Sequence, residues 1–205
     1  MSPLLKKIIS ITSAVFLAWL LYYGSFLPLR KAQKYIEARQ TQVSSLPQFN
    51  AVYDGILGYR SPVGQEELVS NYMGILSEII VQEKNKPQPN VALVDQLVQK
   101  AEEWGRPIID RGTGFSYSQV IFSFGSVYQQ AFMATRNFSY YEKAIQLYEF
   151  GLKQSPDRQV FLYSLFDIYR FAGNIEEARR IGIRIVEVYN DGGVNQIKNE
   201  LPSQP

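Results

Sequence analysis

The chain has 205 residues, 46% of them apolar and 20% charged, with a formal net charge of +2, which suits one medium domain beside an anchor and leaves no electrostatic footprint for a nucleic-acid partner. It contains neither cysteine nor histidine, which excludes disulfides, thiolate nucleophiles, Cys-type zinc sites, and the commonest general base and transition-metal ligand. Chemistry would fall to carboxylates, lysine, tyrosine or serine alone; no catalytic residue, cofactor or metal is expected.

A short flank, residues 1–7, precedes an uncharged run from Ile8 to Leu29. The run is long enough for a helix to cross a hydrocarbon core, which takes about 20 residues. Trp19, Tyr22 and Tyr23 stand in its second half, where aromatic rings settle near headgroups. A cleaved signal peptide would have small residues before the cut, and Tyr22-Tyr23-Gly24-Ser25 is a poor cleavage site. A core helix would show a polar face, and here only Ser10, Thr12, Ser13 and Ser25 are polar. The expectation is a single transmembrane helix over 8–29, in contact with lipid. Lys6 and Lys7 flank it on one side and Arg30, Lys31, Lys34 and Arg39 on the other. The larger cluster predicts that the C-terminal part faces the cytoplasm.

Residues 30–114 read as a helical region whose degenerate repeat-like helices can layer onto the repeats after it. A polar helix runs from Arg30 to Gln42, and a break follows at Ser44–Pro47. Phe49, Val52, Tyr53, Ile56 and Leu57 recur at helical spacing. A turn spans Gly58 to Gly64, and a helix opens at Glu66 with Leu68, Tyr72, Ile75, Leu76 and Ile79. The loop Lys84–Asn90 ends in a capping residue for a helix bearing Val94, Leu97, Val98, Ala101 and Trp104. Gly105 to Gly114 is expected to be irregular. Its RGTG segment lacks the preceding strand and the lysine of a phosphate loop, so it reads as a connector.

Residues 115–190 carry the strongest signal, a fixed period. Ile121-x2-Phe124-Gly125-x2-Tyr128 matches the first helix of a tetratricopeptide repeat, and Ala144-x3-Tyr148, Gly151 and Pro156 match the second. Leu162-x2-Leu165-Phe166-x2-Tyr169, then Gly173, Ala178, Gly182, Ile185 and Asn190, repeat the pattern. Ala144 and Ala178 lie 34 residues apart (178 − 144), as do Pro156 and Asn190 (190 − 156), which is the tetratricopeptide period. Ile121 and Leu162 are 41 apart (162 − 121), so about two extra helical turns are expected around Ala131–Tyr140. Small residues (Gly125, Ala144, Gly151, Ala178, Gly182) are expected where helices approach closely. A tail, 191–205, closes the chain.

The order of these features resembles the C-terminal end of bacterial O-antigen ligase/polymerase-family membrane proteins that carry a tetratricopeptide tail. The residues that carry the likeness are the apolar span, LRKAQKYIEARQ (Leu29 to Gln40), the Gly64-Gln65-Glu66-Glu67 turn and the helix pairs. The resemblance implies a place beside a multi-span membrane enzyme. The other membrane helices of that family and its glycosyl-transfer loop have no counterpart in this sequence, so no catalytic residue carries over.

The fold expected is all-α: an N-terminal transmembrane helix, then a tetratricopeptide-like (TPR-like) solenoid of stacked helix pairs. The function expected is a membrane-anchored scaffold that holds a protein or peptide and catalyses nothing itself; a split-off ligase tail and a plain spacer are the rivals. The candidate groove is Gln119, Phe122, Ser126 and Gln129 on one repeat with Tyr163, Asp167 and Arg170 on the next. A solvated face without a ligand competes with that reading. Glu176 and Arg180 have the spacing of a surface ion pair, and the adjacent Glu102 and Glu103 make a poor catalytic pair because helical neighbours diverge.

Overall fold

The computed structural model describes residues 2–43, 45–189 and 197. They form helices and connecting turns, with no strand among them. Asn190 and the tail 191–205, apart from Ile197, lie outside the described residues. The chain divides into two compact units, 1–69 and 70–205.

In the first unit one helical run extends from Pro3 to Gln40. It consists of α1 (Pro3–Leu21), a π-helical turn (Tyr22–Phe26) and α2 (Leu27–Gln40). Ser2 caps the start by accepting the Leu5 N–H, with Pro3 in the first turn. The wide turn stands directly before Pro28. That ring has no N–H to donate and crowds the carbonyl four residues back, and the Leu27 N–H reaches Tyr22 O instead. The apolar part of this run is long enough to cross a membrane and none of it is buried against the protein. Its rings lie on one another: Trp19 on Tyr23 at 5.0 Å and Tyr22 on Phe26 at 5.5 Å between centroids.

α3 (Leu46–Leu57) starts at Ser45, whose Oγ accepts the Gln48 N–H, and it buries Phe49, Tyr53, Ile56 and Leu57 on one face. It packs on α2. In α2 the buried residues are Ala38 and, against the usual rule, Lys31. The Lys31 ammonium donates to Gln65 Oε1, which offsets part of the cost of burying the charge.

α4 (Gln65–Lys84) opens in the first unit and runs into the second, followed by α5 (Val91–Arg111), α6 (Tyr117–Thr135), α7 (Phe138–Gln154), α8 (Gln159–Ala172) and α9 (Ile175–Val188). Within the second unit α6 packs on α7, α8 on α9, α7 on α8 and α5 on α6, and α6 also touches α8. α4 meets α6 through Ser70 Oγ and Ser123 Oγ, 2.7 Å apart. The α4–α5 turn is held by buried Glu83, which accepts from Lys86 Nζ and from the Asn90 N–H at 3.4 Å.

Helices α4, α6 and α8 carry the same apolar register. Leu68-Val69-x2-Tyr72-Met73-x2-Leu76 in α4, Val120-Ile121-x2-Phe124-Gly125-x2-Tyr128 in α6 and Phe161-Leu162-x2-Leu165-Phe166-x2-Tyr169 in α8 are buried at every named position. Glycines set how closely helices approach. A Cβ on Gly105 would lie 2.2 Å from Met73 Cε, on Gly125 2.4 Å from Tyr148 Cε1, and on Gly151 2.4 Å from Phe161 Cζ.

Two sequence expectations are corrected and a third is located. α5 does not stop at Gly105: it continues through Pro107 to Arg111 and ends on Gly112, whose φ of 75° supplies the left-handed cap. Buried Ile108 continues the apolar stripe past Gly105, so packing overrides two residues that punctuate helices in sequence. The two extra helical turns expected around Ala131–Tyr140 are present, shared between two helices. α6 runs seven residues past Tyr128 (135 − 128) where α8 runs three past Tyr169 (172 − 169). α7 begins six before Ala144 (144 − 138) where α9 begins three before Ala178 (178 − 175). Each helix of that pair is lengthened by about a turn, and Arg136–Asn137 alone joins them. Finally, Arg180 pairs with Glu177 at 2.6 Å, not with Glu176.

Candidate functional site

The shared register that buries one face of α4, α6 and α8 turns another outward, and two clefts lie along it. The first, about 430 Å³, is lined by Ser77, Glu78, Val81 and Gln82 of α4 with Ser126 and Gln130 of α6. The second, about 380 Å³, is lined by Gln129, Gln130 and Met133 of α6 with Asp167, Arg170 and Phe171 of α8. Gln130 lines both, so the clefts meet at that residue.

Counting from the last position of the shared register in each helix (Leu76, Tyr128, Tyr169), the lining residues fall at matching steps. Ser77, Gln129 and Arg170 are one residue on; Glu78, Gln130 and Phe171 are two; Val81 and Met133 are five. The lining is rich in amides and hydroxyls, with Val81, Met133 and Phe171 as apolar contacts. Glu78 and Asp167 contribute negative charge and Arg170 positive charge.

Ser77 is 9% exposed, and its Oγ has no hydrogen-bond partner among the described residues. A buried hydroxyl without a partner costs free energy, and this one stands at a cleft wall. Lys84 Nζ donates to Gln130 Oε1 at 3.4 Å, leaving the Gln130 amide nitrogen available. At the far end the Arg136 guanidinium lies 3.9 Å over the Phe171 ring, which meets Phe132 edge-on at 5.7 Å. Arg136 holds this place with a φ of 61°, as the left-handed cap of α6.

Of the residues proposed from sequence, Ser126, Gln129, Asp167 and Arg170 line these clefts. Gln129 is buried, and its Oε1 accepts the Tyr148 hydroxyl at 2.7 Å, so half of its amide is already engaged in holding α6 to α7. Phe122 is half-buried, between Tyr148 and Phe161 at centroid distances of 6.4 and 6.3 Å, and serves packing. Gln119 is exposed and Tyr163 half-buried, and neither lines either of these two clefts. Sequence reasoning missed all four α4 residues, together with Gln130, Met133 and Phe171. The signal for them was present in Leu68–Leu76, whose spacing matches the two recognised first helices.

A second polar cluster stands between α5, α6 and α7. Glu102 Oε1 accepts from Lys143 Nζ and from the Tyr128 hydroxyl, both at 2.7 Å. Burial alone would raise the Glu102 carboxyl, but Lys143 and Tyr128 together outweigh it and hold the carboxyl below its ordinary value. Burial and the Glu102 carboxylate push the Tyr128 phenol well up, so it stays a donor. Beside this cluster is a cleft of about 260 Å³ with Arg106, Asp110, Phe124 and Phe150 among its walls. Glu103 turns away to Lys100, so the two adjacent carboxylates do not converge. No group of three or more acidic residues is placed to hold a metal ion among the described residues.

No family model, curated protein or solved structure matches this chain. Among the described residues the architecture is all-helical, with one N-terminal helix long and apolar enough to cross a membrane.

Proposed function

We propose that this chain is a membrane-anchored scaffold that grips an extended peptide or helix of a protein partner along α4, α6 and α8. The observation that carries the reading is the recurrence of lining positions at equal steps on three successive first helices, with the unpartnered Ser77 hydroxyl among them. Helices α4/α5, α6/α7 and α8/α9 act in this reading as three tetratricopeptide-like pairs, the number such folds need to bury their faces. Residues 8–29 provide the anchor, and the four basic residues after it favour the cytoplasmic side for the clefts. The order of span, GQEE turn and helix pairs supports a multi-span glycan ligase or polymerase as the enzyme beside which the scaffold works. The scaffold contributes binding there and no reacting group.

The test places a photoreactive benzoyl-phenylalanine at Gln130 in the intact chain in native membranes, with the same group at exposed Glu187 of α9 as reference. A discrete polypeptide adduct from Gln130 and none from Glu187 is the expected result. Equal adducts from Gln130 and Glu187, or none from Gln130, would overturn the reading. A phosphatase reporter fused after Pro205 tests the side: activity there puts the clefts outside the cytoplasm.

A further inference from the structure

We propose that the turn between α3 and α4, held against the start of α2, forms a second membrane contact that binds the phosphate headgroups of anionic lipids. The proposal rests on the reading that residues 8–29 cross a bilayer. A helix advances about 1.5 Å per residue, so Lys31 and Lys34 stand about 3 and 7.5 Å beyond Leu29. The headgroup layer adds roughly 5–7.5 Å on each side of the hydrocarbon core. Whatever these two lysines hold is therefore held at headgroup depth.

They hold the turn at both ends. The Lys31 ammonium donates to Gln65 Oε1 at its far end, and Lys34 Nζ lies 5.7 Å over the Tyr59 ring at its near end. Between these points Ser61 Oγ donates to Val63 O at 2.8 Å, which leaves Val63 projecting and 58% exposed. Arg60 is exposed on the turn, and Arg30 and Lys34 are exposed on the helix beside it. The arrangement is an apolar tip rimmed by three cations, complementary to a surface of phosphates over acyl chains.

The acidic groups on the same elements are Glu37, the half-buried Asp54 at the end of α3, Glu66 and Glu67. Glu66 is buried at the start of α4. Glu67 is exposed on that helix, beyond the turn, and Glu37 lies about 12 Å past Leu29, outside headgroup depth.

The chain has no cysteine, so Val63→Cys introduces a single thiol. The full chain carrying that change, labelled with an environment-sensitive nitrobenzoxadiazole dye, is reconstituted into vesicles of phosphatidylcholine alone or with a third phosphatidylglycerol. Flotation after carbonate washing reports the span; dye emission and quenching by nitroxide-labelled lipid report the tip. We expect blue-shifted, lipid-quenched emission in the anionic vesicles. Each charge reversal, Lys34→Glu or Arg60→Glu, should weaken the tip contact about fivefold, with flotation unchanged. Water-like emission in both vesicle types, on a chain that floats, overturns the proposal and leaves the span standing. Equal contact in neutral and anionic vesicles overturns the recognition of phosphate. A chain that fails to float overturns the span, and this proposal with it.

Discussion

At the scale of single residues, space and conformation predict opposite outcomes for two glycine-to-alanine changes. Gly125 faces the Tyr148 ring, which is 0% exposed and tied by its hydroxyl to Gln129, so a methyl group there has nowhere to go. Gly125→Ala should destabilise the chain by about 1–3 kcal/mol through overpacking, less what alanine gains as a helix former. Gly74 lies on α4 with nothing within 4 Å of an added Cβ. Gly74→Ala should stabilise by about 0.5–1 kcal/mol. Thermal unfolding of the full chain in detergent, followed by helical dichroism, reads both. A rise in melting temperature for Gly125→Ala would mean that α6 and α7 are not packed at this glycine. Glu102 gives a prediction in pH. Its folded-state value lies below the unfolded one, so its contribution is fully present above the ordinary glutamate value of about 4.3 and fades as pH falls through the folded value. Glu102→Gln should therefore lower the melting temperature at neutral pH, with the gap to the parent closing in acid. A gap that stays constant from neutral to acid pH would remove the ion pair from the account.

At the scale of helices, Ala144 and Ala178 occupy the close approach in the second helix of each recognised pair, at 0% and 3% exposure. Replacing either by leucine should cost about 1–3 kcal/mol in the same unfolding assay. Unchanged melting of both variants would show the register to be wrong. These helices were legible because small and large residues recur at a fixed period, and Asn90 and Ser45 announce their helix starts by the side chain each places at the cap. α5 was misread beyond Trp104 because Gly105 and Pro107 break helices locally. Only the neighbours Met73 and Phe124, distant in sequence, show that Gly105 is there for contact. The pairing of Arg180 with Glu177 was equally hidden, since i+3 and i+4 spacings are both allowed and rotamers decide between them.

At the scale of the molecule, the membrane-length helix was plain in the sequence because charge is absent over a long run. The clefts were only half legible. Ser126, Asp167 and Arg170 followed from the two recognised repeats, whereas the α4 wall required seeing that Leu68–Leu76 shares their spacing despite a different residue choice. Gln129 was assigned to the groove on spacing alone, and its bond to Tyr148 is a three-dimensional fact that no spacing carries. The claim that unites the molecule is that one partner segment lies along α4, α6 and α8 together. The most direct measurement maps photo-adducts from Glu78, Gln130 and Phe171, placed one at a time in the intact membrane-bound chain, onto the partner by mass spectrometry. The account predicts one polypeptide, with the three adducts falling in sequential order along a single segment. Adducts to unrelated polypeptides at the three positions, or the same yield from exposed Glu187 on α9, would contradict it.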